Sequence, residues 1–124
     1  MRYLLDTCVL LWALGDLNKL PIEFLRILEN PSNEVAVSVV CYWEIAIKKG
    51  LKKLEIPDDW ADKIEKTGFS WLNLEPKHIR QLEKLPLLHK DPFDRLLVAQ
   101  AQVEKFKFLT LDEKILEYAI DTRV

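Results

Sequence analysis

The stretch from Lys90 to Ala101, KDPFDRLLVAQA, constrains this chain more than any other part of it. Asp91 is a favoured N-cap, Pro92 suits the first helical position because its missing N–H would have no partner there, and Asp94 falls at the third. Beyond them Leu96, Leu97, Val98, Ala99, Ala101 and Val103 point around most of the helix circumference. A helix that is apolar on several sides has to be covered on several sides, so it belongs inside a layered structure. Its charged N-terminus then opens at one defined place. Asp91 reads most simply as a cap that pairs with Arg95 one turn on, and Asp94 as a charge complementing the helix dipole. Three other acids raise Asp94 above that reading.

The continuous apolar run Tyr3-Leu4-Leu5 reads as a parallel strand buried on both faces, and Val35-Ala36-Val37, Trp71 to Leu74 and Phe106 to Thr110 read as three further strands. Between and after them lie helical patterns: Cys8–Leu14, Leu20–Glu29, Val39–Lys49 behind an N-capping Ser38, one opening at Pro57, one starting at Pro76, and one from Glu113 to Tyr118. His78, on the helix from Pro76, reads as a surface or boundary residue. Alternation of this kind predicts an α/β protein, a three-layer α/β/α sandwich around a mostly parallel sheet, with all strand C-termini at one edge. With 124 residues, 49% of them hydrophobic, the chain is expected to form one domain over residues 1–124.

Acids recur at that edge. Asp6 follows the first strand and Asp112 the fourth, where each also suits an N-cap. Glu44 lies within an otherwise apolar helix, and a buried carboxylate left alone costs several kcal/mol or stays protonated. It needs a partner, either Lys48 one turn on or a cation shared with Asp6 and Asp94. Four converging carboxylates repel one another and suit hard divalent cations, Mg²⁺ or Mn²⁺. Two such ions about 4 Å apart would activate water and neutralise the leaving oxygen of a phosphodiester. The three glycines, Gly15, Gly50 and Gly68, form no phosphate-binding loop, which argues against nucleotide-cofactor enzymes.

The net charge of −2 provides no bulk basic surface. Lys48, Lys49, Lys52 and Lys53 are the densest basic cluster, either a solvated helix end or a phosphate contact. His89 has no second His or Cys at ligand spacing, which favours a phosphate or backbone contact over zinc. Cys8 and Cys41 form neither a zinc pattern nor a disulfide framework, and no window approaches the ~18 apolar residues of a membrane span. A reduced, cytoplasmic setting is expected.

The strings LLDTCVLLWAL, VSVVCYWEIAIKKGLKKLEIP, HKDPFDRLLVAQA and LTLDEKI resemble the PIN-domain ribonucleases of VapC-type toxins, in order and spacing, across about residues 2–115. The resemblance implies that Asp6, Glu44, Asp94 and Asp112 hold Mg²⁺, that Thr7 and Thr110 are the hydroxyl positions beside them, and that Ser38 lies near the pocket. Asp91 is common in this branch and stands behind the four acids. The family cleaves RNA endonucleolytically and is held inactive by a cognate antitoxin whose tail covers the acids. Lys48, Lys49, His89 and Arg95 are then the candidate RNA contacts. Cys8 departs from the His that relatives often carry, which bears on substrate positioning.

The four tryptophans suggest a homodimer built through Trp12, Phe24 and Trp60, with core packing as the alternative. Two other classes compete with the nuclease reading: a receiver-like phosphoacceptor domain and a catalytically idle partner-binding domain. A receiver would need a Lys after a late strand, and it gives Glu44 no role.

Overall fold

The computed structural model describes residues 1–118. Four strands, β1 (Arg2–Leu5), β2 (Glu34–Ser38), β3 (Ser70–Leu72) and β4 (Lys107–Leu109), form one sheet in the order β3-β2-β1-β4. Every pairing is parallel. Seven α-helices accompany them among the described residues: α1 (Thr7–Gly15), α2 (Ile22–Glu29), α3 (Val39–Gly50), α4 (Trp60–Lys66), α5 (Pro76–Lys84), α6 (Pro92–Glu104) and α7 (Glu113–Leu116). The expected α/β/α sandwich is present.

Leu4 and Leu5 of β1, Ala36 and Val37 of β2, and Phe108 and Leu109 of β4 are all buried, as strands covered on both faces must be. Leu4 pairs with Ala36 on one side and Phe108 on the other, so three strands end nearly flush. From β1 the chain builds outward through β2 to β3, then returns to place β4 on the opposite flank. The order reverses at β1. In open α/β sheets a crevice forms at such a switch point, beyond the strand C-termini. Asp6 and the Thr110–Asp112 turn lie on its two sides.

The helix from Pro92 is buried continuously from Leu96 to Ala101, as its apolar circumference demands. Elsewhere the structure corrects the sequence reading. The third strand is Ser70–Leu72 and sits at the sheet edge, and α4 starts at Trp60, three residues beyond Pro57. Phe24 and Trp60 are core residues and not surface candidates for a dimer. Trp60 packs on Tyr42 with ring centroids 4.6 Å apart. His78 is fully buried. Its Nδ1 accepts the Glu75 N–H at the start of α5, and its Nε2 lies 2.7 Å from Glu104 on α6, so a polar residue is satisfied inside the α5–α6 contact.

Candidate active site

Each acid reaches the crevice through a local device. Asp6 ends β1 and caps α1, with Oδ1 accepting the Val9 N–H at 2.8 Å. Its Oδ2 accepts a short hydrogen bond from the Thr110 hydroxyl. Glu44 is buried on α3, where Oε1 accepts from the Thr7 hydroxyl at 2.6 Å and Oε2 meets Lys48 Nζ at 2.5 Å. The Lys48 partner expected from the i,i+4 spacing and the convergence with the other acids therefore occur together.

Asp94 is positioned by its neighbour. Asp91 caps α6 by accepting the N–H groups of Phe93 and Asp94, which leaves the Asp94 carboxylate directed elsewhere. Asp112 caps α7 through the Lys114 N–H, and its own N–H donates to Thr110. The Asp91 N–H donates to His89 Nδ1. The ring's Nε2 lies 2.9 Å from Asp94 and 3.4 Å from Asp112, so His89 makes the expected backbone contact and faces two carboxylates as well.

Asp6, Glu44, Asp94 and Asp112 line one cavity of about 450 Å³, with Thr7, Lys48 and Asp91. Sequence reasoning did not single out Leu11, Leu54 or Leu111, which supply its apolar wall, and Trp12 enters it as a lining residue. Cys8, the departure from the family pattern, faces the same space. Apolar positions beside charged ones carry no signal that separates a cavity wall from core.

The remaining candidates lie apart from it. Ser38 caps α3 through the Val40 N–H and donates to Gln100, fully buried and outside the cavity lining. Lys49 pairs with Asp58 at 2.6 Å. Arg95 does not pair with Asp91; its guanidinium donates to the Leu85 carbonyl.

Crowding shows in the proton affinities. Burial, with the charges of Asp112 and Glu44 adding to it, lifts the Asp6 carboxyl from 3.8 to about 6 against the pull of the Thr110 hydroxyl. Burial, then the charges of Asp91 and Glu44, lifts Asp94 from 3.8 to about 7, outweighing the opposing effect of His89. Lys48 is raised, chiefly by its bond to Glu44. The arrangement concentrates negative charge that a cation would neutralise.

The family model of the PIN domain matches residues 3–121. This chain belongs to the PIN domain family. No curated protein matches it. Among solved structures it is similar to VapBC2 from Rickettsia felis, crystallised bound to a DNA fragment from their promoter. That match has a TM-score of 0.74 at 19% identity and covers 96% of this chain and 94% of the other. At that identity the likeness is one of fold. PIN domains are generally nucleases, and the acid-lined crevice of this member lies at the sheet's switch point.

Proposed function

We propose that this PIN domain is a metal-dependent endoribonuclease, the VapC-type toxin of a type II toxin-antitoxin pair, formed by residues 1–124 as one cytoplasmic domain. The observation that carries the proposal is the convergence of Asp6, Glu44, Asp94 and Asp112 on one cavity. Family membership and the likeness to VapBC2 support it.

The donor set fits a hard cation. Four carboxylates offer oxygen alone, and raised proton affinities at Asp6 and Asp94 mark a place where positive charge is wanted. These four would hold Mg²⁺ or Mn²⁺, which when bound supplies the charge that activates water and stabilises a phosphodiester under attack. The rest is done by the chain. Thr7 and Thr110 fix the carboxylate orientations of Glu44 and Asp6, and Asp91 fixes the first turn of α6. Lys48, a cavity-lining cation, is a direct candidate for RNA phosphate, joined there by Lys53. Lys49, His89 and Arg95 act as RNA contacts only by leaving Asp58, the carboxylates and the Leu85 carbonyl.

A cognate antitoxin is the proposed partner, a reading the likeness to VapBC2 supports, and a cationic segment laid in the cavity would neutralise the acids. No described helix is long and apolar enough to cross a membrane. A homodimer is proposed as well; Phe24 and Trp60 are core and form no part of its surface, which leaves the half-buried Trp12 of the three. Incubation with single-stranded RNA in Mn²⁺ tests the nuclease reading. Cleavage that stops in excess EDTA supports it, whereas cleavage unaffected by chelator contradicts the site. Incorporation of label from acetyl phosphate would favour the receiver reading instead.

A further inference from the structure

We infer that Trp43 and Phe93 form a stacking platform for an unpaired nucleobase next to the acid cavity, an inference that rests on the ribonuclease reading. Each ring immediately precedes an acid of the site: Trp43 before Glu44 on α3, Phe93 before Asp94 on α6. Neither ring lines the cavity, but their contact bridges the two helices that carry Glu44 and Asp94 into it. The rings meet edge to face, with centroids 4.9 Å apart and planes at 75°. Trp43 remains 52% exposed despite that contact.

Charge explains why a stacking surface belongs there. Apart from the cation the acids would hold, only Lys48 and Lys53 among the cavity's lining residues offer an RNA phosphate positive charge. Lys48 is engaged by Glu44. Affinity then needs a source independent of charge, and stacking on an aromatic face supplies it for any base. A duplex buries its base faces, so the platform selects single-stranded or looped substrate. Trp43 is in this sense a specificity-determining residue.

The test uses the full chain carrying Asp6→Asn to suppress cleavage, with a single-stranded RNA containing 2-aminopurine in Mn²⁺. Binding should quench the probe. Trp43→Ala should abolish the quench and weaken affinity by roughly ten- to a hundredfold, the range typical of losing one stacked base. Trp43→Phe should restore most of it, and Trp71→Ala, on an exposed ring that packs against Tyr42, should change nothing. In the cleavage-competent protein the Trp43→Ala loss should appear as a raised KM. Unchanged affinity and quench in Trp43→Ala would overturn the platform even where the parent protein cleaves RNA. Trp43-dependent binding by a parent that fails to cleave would uphold the platform and reject the nuclease reading. A parent that binds no RNA overturns it. So does a Trp43→Ala variant that binds RNA normally but falls from dimer to monomer by light scattering, which would assign the exposed ring to a second copy.

Discussion

Asp94 occupies a position where a helix-terminus charge normally stabilises, by a few tenths to about 1 kcal/mol, yet burial and its like-charged neighbours lift its carboxyl to about 7. The two effects predict opposite outcomes for Asp94→Asn. With the repulsion dominant, the variant melts in EDTA at or above the parent temperature, gaining up to about 1 kcal/mol. RNA cleavage should collapse in the same protein. Asp91→Asn is the control, because Asn caps about as well as Asp and the bonds to Phe93 and Asp94 can persist. The pH dependence follows from the same groups. Asp6 and Asp94 have folded values of about 6 and about 7 against 3.8 unfolded, so the native state binds more protons between those limits. Stability contributed this way is fully present below about pH 4 and is lost as pH rises through 6 to 7. Thermal melts of chelated protein should therefore fall across that window, and saturating Mn²⁺ should flatten the fall. A melt that rises with pH over the same range would contradict the assignment of these two carboxyls as crowded acids.

The helices carrying Glu44 and Asp94 are braced away from the cavity. Ser38 caps α3 six residues before Glu44, Gln100 lies on α6 six residues after Asp94, and the two side chains bond to each other in full burial. Gln100 also donates to the Asn73 carbonyl and approaches His78, which links on to Glu104. Gln100→Leu leaves the Ser38 hydroxyl and its neighbours unsatisfied and should cost about 1–3 kcal/mol in denaturant unfolding. Cleavage should weaken with it, because the separation of α3 and α6 is no longer pinned. Loss of stability with full activity would show that the brace does not set the site. At this scale the sequence revealed the elements better than their contacts. Asp91-Pro92 announced α6, and Ser38 announced α3, because capping chemistry is local. His78 was misplaced because its partner, Glu104, lies 26 residues away, and no local pattern encodes such a pairing.

Across the whole molecule, strand order converts scattered acids into a site. A parallel sheet was readable from the alternation of short strands with helices, and with it the expectation that Asp6, Glu44, Asp94 and Asp112 meet at one edge. The reversal at β1, which opens the crevice between the ends of β1 and β4, was not, since period and composition are indifferent to which flank β4 joins. The apolar wall of Leu11, Leu54 and Leu111 was equally silent in the sequence. The proposed homodimer belongs to this scale too: light scattering at micromolar concentration should give twice the chain mass of 14.6 kDa, and a monomer would contradict it. In the proposed function the four acids act as one cation-dependent centre for RNA cleavage. The most direct measurement is the initial rate of cleavage of single-stranded RNA in Mn²⁺ for the parent, Asp6→Asn, Glu44→Gln, Asp94→Asn and Asp112→Asn proteins, each also in EDTA. The account predicts a rate in the parent that chelator abolishes and that every substitution reduces by at least an order of magnitude while the fold survives. A parent rate that persists in EDTA, or folded variants that cleave as fast as the parent, would contradict it.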